Sequence, residues 1–180
     1  GTISGTSSIV QFDAWNWEDA ALKTDDGIHM NWPNLFRRGR WWMGEERGYI
    51  PNKDYGKEMN DIKMFFQNSL AYGKASEKEK NLPFAAMQGL FDGSQRLYIH
   101  ADGEKEMTDG VTMAKEIGIK HVVIVGGYRA NKISDFLKQH DVAVLVERTH
   151  ALPSFEDDDY DITYKLPKLL LDAGILVGLQ

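Results

Sequence analysis

The chain has 180 residues, of which 42% are hydrophobic and 27% are charged, which is the composition of an ordinary globular protein with enough apolar material for one core. Its formal net charge of −6 argues against nucleic acid or an anionic membrane as the main partner, and the absence of cysteine excludes disulfides and thiolate metal sites. No apolar run approaches the roughly 20 residues that a membrane span needs. Because residue 1 is glycine, we expect the chain to be processed, tagged or cut from a longer protein.

The N-terminal region, residues 1–52, is rich in Trp, Gly and Asn and shows no helical periodicity, so we treat it as a unit separate from residues 53–180. Residues 8–12 and 27–32 are predicted to be short strands. The stretch WNWEDAALKTDD between them is predicted to hold at most a brief helical turn.

Two helices are predicted next. From residue 52 to residue 80, apolar side chains recur at helical spacing among charged ones, which predicts a long amphipathic helix ending in the charged connector SEKEKN. Residues 83–91 (PFAAMQGLF) predict a shorter helix, closed by the turn-forming pair Asp92-Gly93.

Strands and helices then alternate to the end of the sequence. The predicted strands are 97–100, 121–125, 142–146 and 175–179, and the predicted helices are 104–117, 128–139 and 166–173. Runs such as HVVIVGG and DVAVLVE are continuously apolar, as strands covered on both faces must be. This pattern predicts an α/β fold of parallel βαβ units with right-handed crossovers. It fits an open doubly wound sheet or part of a (β/α)₈ barrel, whose usual length of about 250 residues exceeds this chain.

Both architectures place function just after the strands, and this rule sorts the histidines. His100 and His150 follow predicted strands and fall on the functional side. His121 and His140 precede strands and fall on the side where residues serve stability. His29 lies in the Trp-rich region and cannot be assigned in this way.

Two interpretations of His100 stay open on the residues alone. Neutral imidazole is the commonest metal ligand, and the end of a strand holds a ligand rigidly. Alternatively, His100 is a hydrogen-bonded histidine that caps the next helix, with Asp102 as the N-cap. The pair Gly126-Gly127 would allow close backbone approach to an anion, but no GxGxxG or GxxxxGK motif is present, which favours a tight turn.

The remaining polar clusters give weaker indications. Arg129 and Arg148 are suited to bind a carboxylate as bidentate forks, although lone arginines are more often surface or ion-pair residues. EDDDYD lacks the spacing and the glycine of an EF-hand, which favours a solvated loop. RRGRWW combines basic and aromatic residues as single-strand binders do, but the acidity of the whole chain makes this a weak hint.

Three stretches, LYIHAD, HVVIVGGYRANKISDFLKQHDVAVLVE and THALPSFEDDDYDITYKLPKLLLDAGILVGLQ, resemble in this order the second half of amidohydrolases of the imidazolonepropionase-like group. The upstream text SSIVQFDAWNWEDAALKTDDGIHMNWP resembles a segment of the same group. The resemblance implies a (β/α)₈ TIM barrel that hydrolyses C–N bonds of amides or cyclic amides with a bound divalent metal, zinc, activating water. The chain would then cover about strands five to eight, with an N-terminal hairpin and a long helix before them.

The resemblance also implies a ligand set, of which little is present. The family's ligands are an HxH pair after strand one, histidines after strands five and six, and an aspartate after strand eight. His100 matches the strand-five histidine, whereas the strand-six position is Gly126-Gly127-Tyr128-Arg129, no HxH occurs and no aspartate follows the last strand. Either the other ligands lie outside these 180 residues, or the subgroup has an altered metal site.

We therefore expect a fragment of a metal-dependent amidohydrolase, inactive alone, in which His100 binds metal and Tyr128, Arg129 and His150 face the substrate. We expect zinc in the intact parent protein. For the fragment, the alternative is that it binds no metal. The alternative function is a non-catalytic small-molecule binding domain on a degenerate barrel. The expected partners are an amide substrate and, through bare sheet edges, a second copy of the chain, unless residues 12–32 cover an edge. Relatives are often exported, which implies a periplasmic or secreted location.

Overall fold

A computed structural model describes residues 2–76, 79–154 and 158–180 of the chain. The main element is a six-stranded sheet, and a separate two-stranded hairpin lies beside it. In chain order the strands are β1 (Ile3–Val10), β2 (Ala21–Asn31), β3 (Phe36–Arg38), β4 (Tyr49–Pro51), β5 (Arg96–Ala101), β6 (Val122–Gly126), β7 (Ala143–Val146) and β8 (Val177–Leu179).

The order of strands in the sheet is β1-β2-β5-β6-β7-β8, and β3 pairs with β4 in the hairpin. Each neighbouring pair from β2 to β8 is parallel, while β1 is antiparallel to β2. Consecutive parallel strands in sequential order are what one segment of a (β/α)₈ barrel contains. The predicted α/β class and the sequential order of the last four strands are confirmed.

Helices connect the parallel strands, and several of them begin or end away from their predicted positions. They are α1 (Trp17–Ala20), α2 (Tyr55–Lys74), α3 (Leu82–Ala86), α4 (Gly89–Asp92), α5 (Glu104–Ile117), α6 (Ser134–Gln139) and α7 (Ile162–Asp172), with 3₁₀ turns at Trp41–Met43 and Ala130–Ile133. None of the helices in the described part of the chain combines the length and apolarity that a membrane crossing requires.

Two predicted helices differ from the structure for identifiable reasons. The helix predicted over 83–91 is divided into α3 and α4, with Met87 as the C-cap of α3. The helix predicted from residue 128 starts later, because Gly126 and Gly127 have φ angles of +93° and +65° and extend the turn after β6. The charged connector 76–81 and the acidic loop 156–161 fall partly outside the described residues.

The N-terminal region contributes more to the sheet than its sequence pattern predicted. β2 is 11 residues long and lies parallel to β5, so it covers the edge of β5 that would otherwise be bare. This matches the expectation that residues 12–32 cover a sheet edge. Within the described residues, β1 and β8 are the outer strands of the sheet. Self-association of the chain stays a prediction.

The two faces of the sheet differ, because side chains alternate along each strand. One face carries the apolar core side chains Ile28, Met30, Leu97, Ile99, Val122, Ile124, Val144 and Val146, each at most 2% exposed. Helix α5 packs close to this face because Gly110 has no Cβ, which would stand 3.3 Å from both Ile99 and Trp32. The opposite face, which corresponds to a barrel interior, carries Tyr98 and His100.

Tyr55 joins the start of α2 to this core through two hydrogen bonds. The indole Nε1–H of Trp32 donates to the Tyr55 hydroxyl at 3.0 Å, and that hydroxyl donates to Asp109 of α5 at 2.8 Å. Burial of the phenol, together with its bond to Asp109, raises the pKa of Tyr55, so the hydroxyl stays protonated.

We expect Tyr55→Phe to lower the free energy of unfolding by about 1–2 kcal/mol, because the buried Trp32 donor loses its acceptor. Urea unfolding followed by circular dichroism measures this change. Tyr49→Phe is the matched control, since Tyr49 is 81% exposed and should tolerate the loss of its hydroxyl. Equal effects of the two substitutions would contradict the structural role given to Tyr55.

Candidate functional site

Two histidines meet on the inner face of the sheet, near the carboxyl ends of β2 and β5. The parallel register pairs His29 with Tyr98 and Asn31 with His100, so all four side chains share one face. Nδ1 of His29 lies 2.9 Å from Nε2 of His100. The His29 ring also stacks on Tyr98, with centroids 4.6 Å apart and an interplanar angle of 6°.

The surroundings of His29 favour its neutral form. Burial lowers the pKa of His29, and the neighbouring His100 lowers it further. Its second ring nitrogen, Nε2, lies 3.0 Å from the hydroxyl oxygen of Ser7 on β1. Neutral imidazole is the form that binds metal ions, and a hydrogen bond at the far nitrogen fixes the orientation of a ligating ring.

The facing nitrogens of His29 and His100 lie at hydrogen-bond distance, and this spacing is also near the one that two ligands of a single metal ion would have. Two nitrogens bound to one tetrahedral zinc at about 2.0–2.1 Å stand roughly 3.3 Å apart, close to the 2.9 Å between these rings. The described residues contain no group of three or more His, Cys, Asp or Glu side chains able to hold a metal. The pair therefore fits part of a ligand set and not a whole one.

A cavity of about 940 Å³ opens at the carboxyl ends of the parallel strands, where the sequence predicted function. Segments that follow β2, β5, β6 and β7 all contribute to its wall. Charged and hydroxyl-bearing side chains in the wall are Tyr49, Asp102, Glu104, Glu106, Tyr128, Arg129, Glu147, Arg148, Ser154 and Thr163. The cavity is large enough for a small molecule of ordinary ligand size.

Tyr128 and Arg129, both predicted to face substrate, line this cavity and reach the same carboxylate. The Tyr128 hydroxyl donates to Asp158 at 2.9 Å and accepts from the backbone N–H of Ser154 at 2.9 Å. The Arg129 guanidinium lies 3.7 Å from Asp158 and 3.5 Å from Glu104. These contacts attach the segment between β7 and α7 to the cavity wall, and burial raises the pKa of Tyr128.

The other predicted residues lie elsewhere. His150 lines an adjoining cavity of about 500 Å³, which shares Arg148 and Ala151 with the larger one. Its Nδ1 is 2.9 Å from the Tyr164 hydroxyl. His100 lines neither of these two cavities. The structure thus brings Tyr128 and Arg129 together and leaves His100 and His150 apart from them, and their roles stay predictions.

The alternative for His100 is confirmed in one part and wrong in the other: His100 is hydrogen-bonded, to Nδ1 of His29 at 2.9 Å, but Asp102 does not cap the helix after β5. Gly103 is the N-cap of α5, and the Glu106 side chain accepts from the Gly103 N–H at 2.9 Å. Asp102 accepts from the backbone N–H of Tyr128 at 3.2 Å. Because Glu106 accepts from the Gly103 N–H, Asp102 is not needed as a cap. Its carboxylate links the loop after β5 to the loop after β6.

His29 is the site residue that the sequence analysis missed. Residues 27–32 were predicted as a strand of an N-terminal hairpin, with no neighbour assigned on the β5 side. The signal in the sequence is the alternation of apolar Ile28 and Met30 with polar His29 and Asn31, which marks one core face and one polar face. A strand with such an inner face can place an imidazole beside His100.

Comparison with known proteins gives one finding on the fold. No protein-family model matches the sequence, and no curated protein matches it. A solved structure of an amidohydrolase from Thermotoga maritima MSB8 superposes with a TM-score of 0.75 at 19% identity, covering 99% of this chain and 47% of that one. The chain spans about half the length of this structure. The chain has an amidohydrolase-like fold.

Proposed function

We propose that this chain forms part of a metal-dependent amidohydrolase that cleaves C–N bonds of amides or cyclic amides. The observation that carries the proposal is the pair His29 and His100, whose ring nitrogens face each other at 2.9 Å near the carboxyl ends of two parallel strands. That is the end at which TIM-barrel enzymes hold their catalytic groups. Zinc suits a site of neutral imidazoles.

The residues of this chain would have separate tasks in such an enzyme. A divalent cation, when bound, supplies a water of lowered pKa and polarises the amide carbonyl. His29 and His100 would hold it through Nδ1 and Nε2, and Ser7 orients the His29 ring. Neither histidine lines the 940 Å³ cavity at the strand ends, where an amide would meet Tyr128, a phenol that stays protonated and bonds Asp158.

The finer assignment to the imidazolonepropionase-like group is part of the same proposal. Its support is the resemblance of residues 7–33 and of stretches between residues 97 and 180 to the group, together with the amidohydrolase-like fold. Tyr128, Arg129 and His150 are proposed to face the substrate. An exported location rests on that resemblance alone.

A second candidate function is a small-molecule binding domain that keeps the barrel but has no metal chemistry. It is favoured by one observation, namely that the strand-six position holds Gly126 and Gly127 where the resemblance implies a histidine. The two glycines form a tight left-handed turn. A Cβ on Gly127 would lie 2.8 Å from a side-chain methyl of Val144, so a histidine at that position would need the Val144 side chain to move.

Hydrolysis assays separate the two functions. We expect the zinc-loaded 180-residue chain to show no turnover of N-acyl amino acids or cyclic amides, because two imidazoles leave a metal poorly placed. A longer protein that contains this chain is expected to hydrolyse them, with a loss of more than about 100-fold in His100→Ala. A folded longer protein that binds amides with zinc present but does not cleave them would favour the binding domain. Turnover by the 180 residues alone would contradict the proposal that further ligands lie elsewhere.

A further inference from the structure

The β3–β4 hairpin ends in three consecutive exposed apolar residues, which we call the tryptophan tip: Trp41, Trp42 and Met43. Their exposed fractions are 60%, 68% and 66%. They occupy the 3₁₀ turn at the end of the hairpin, and none of them is buried. Adjacent large apolar side chains that stay exposed at one turn indicate a surface that binds a partner.

The loop that carries the tryptophan tip is held in a defined shape. The Arg37 guanidinium donates to both carboxylate oxygens of Glu45, and Glu45 also accepts from the backbone N–H of Arg40 at 2.7 Å. The Arg37 bond, with the Arg40 N–H, lowers the pKa of Glu45 to about 2, so this carboxylate stays ionised. Gly39 passes so close to Glu46 that a Cβ would stand 1.9 Å from the Glu46 carbonyl oxygen.

Charge around the tryptophan tip has the opposite sign to that of the whole chain. Residues 36–51 contain four arginines and two glutamates, a net charge of +2 in a chain of net charge −6. Glu45 neutralises Arg37, and the remaining three arginines, Arg38, Arg40 and Arg47, are exposed. The hairpin therefore combines three exposed apolar side chains with three exposed arginines, of which Arg47 lies over the Trp41 ring.

Single-stranded nucleic acid fits this surface poorly. Bases stack on open aromatic faces, but the Arg47 guanidinium lies over the Trp41 ring at 5.6 Å. Trp41 and Trp42 meet edge to face at 85°, so they form no parallel platform. Met43 offers no ring at all.

A protein partner fits less well than a lipid surface. Three side chains of this size expose about 400 Å² of apolar surface, about half of what one side of a stable protein interface needs. Docking on a bilayer requires less apolar area than a protein interface does, and it favours exposed tryptophan and arginine. Tryptophan settles at the level of the headgroups, and arginine keeps its charge among lipid phosphates while its stem lies along apolar groups.

We propose that the tryptophan tip docks on the surface of a bilayer that contains anionic phospholipid. Trp41, Trp42 and Met43 insert at the boundary between headgroups and acyl chains. Arg38, Arg40 and Arg47 contact the phosphates of the headgroups. This inference is independent of the proposed hydrolase function, because none of these residues belongs to the histidine pair or lines the 940 Å³ cavity.

Co-sedimentation of the 180-residue chain with vesicles tests the proposal. Phosphatidylcholine vesicles with about 30% phosphatidylglycerol are expected to bind the chain, and pure phosphatidylcholine vesicles to bind it at least about tenfold more weakly. A similar loss is expected for the double variant Trp41→Ala/Trp42→Ala and for the triple variant Arg38→Gln/Arg40→Gln/Arg47→Gln. Salt at about 1 M should weaken binding of the unmodified chain.

The matched control is Trp15→Ala/Trp17→Ala, which removes two tryptophans that are 96% and 74% exposed in the connection between β1 and β2. This variant should bind anionic vesicles like the unmodified chain. Equal loss in this control, absence of vesicle binding, or tighter binding to a single-stranded oligonucleotide than to vesicles would each overturn the proposal.

If the tip variants melt at a lower temperature, brominated lipids provide a second measurement in the Trp15→Phe/Trp17→Phe chain. Quenching of its remaining tryptophan fluorescence is expected, and no quenching would overturn the proposal.

Discussion

Replacing either His29 or His100 with alanine is expected to weaken zinc binding by this chain at least about tenfold. Two facing imidazoles should bind one zinc with a Kd of order 0.1 mM, about −5.5 kcal/mol, well short of stoichiometric binding at micromolar metal. Each substitution removes one of the two nitrogens that lie 2.9 Å apart, and we expect at least about a tenfold rise in Kd, or 1.4 kcal/mol. Calorimetric titration of each variant measures the change.

His121→Ala is the control for this titration. His121 is exposed and precedes β6, at the opposite end of the sheet from the histidine pair. The control should bind zinc like the unmodified chain. If His121→Ala lowers the zinc affinity as much as His100→Ala does, the binding is diffuse and the two-histidine site is wrong.

Replacing Asp26 is expected to have the largest effect on stability among the charged residues. Asp26 is fully buried in the middle of β2. It accepts hydrogen bonds from the Arg96 guanidinium, from the Lys23 ammonium at 2.8 Å and from the Tyr98 hydroxyl at 2.8 Å. Asp25 before it has a φ angle of +51°, in a region where the pairing of β1 with β2 is irregular.

Asp26→Ala should lower the free energy of unfolding by about 3 kcal/mol, because it leaves the donors of Arg96 and Tyr98 without their acceptor. We place the value at the lower end of the range for buried ion pairs, since the Arg96 and Lys23 side chains are each 42% exposed. Urea unfolding measures it, and Asp13→Ala, at an exposed position, is the control. A change below about 1 kcal/mol in Asp26→Ala would contradict the structural role of this carboxylate.

The same carboxylate should make stability depend on pH. Burial by itself would raise the pKa of Asp26, but the hydrogen bonds from Lys23 and Tyr98 and the charge of Arg96 outweigh it and lower the pKa. A lowered folded-state pKa means that the stabilisation is complete above the ordinary aspartate pKa and is lost as pH falls through the folded value. Between about pH 5 and pH 3, Asp26→Asn should therefore lose less stability than the unmodified chain.

The fold could be predicted over most of the chain because its signals are local. Continuously apolar runs at 121–125 and 142–146, separated by helical periodicity, indicate parallel βαβ units without any knowledge of distant residues. The place of β2 could not be predicted in this way. Its pairing of Gly27 with Arg96 joins residues almost 70 positions apart, and no local pattern states which strand lies beside which.

The candidate site, like the fold, could be predicted only where the signal is local. His100 could be identified because it ends a predicted strand, whereas His29 acquires its meaning only from the parallel pairing of β2 with β5. The carboxylate Asp158, which binds both Tyr128 and Arg129, lies in a loop whose path no sequence pattern describes. The sequence therefore indicates which residues occupy the functional edge and leaves open which of them touch.

Zinc-edge anomalous diffraction from crystals of the chain grown with zinc is the most direct test of the proposed metal site. We predict one peak within about 2.0–2.1 Å of both His29 Nδ1 and His100 Nε2, the bond length of zinc to imidazole nitrogen. Ser7 should still lie next to Nε2 of His29, where it holds the ring. A map in which zinc binds at His121, His140 or His150, while His29 and His100 stay hydrogen-bonded to each other, would contradict the account.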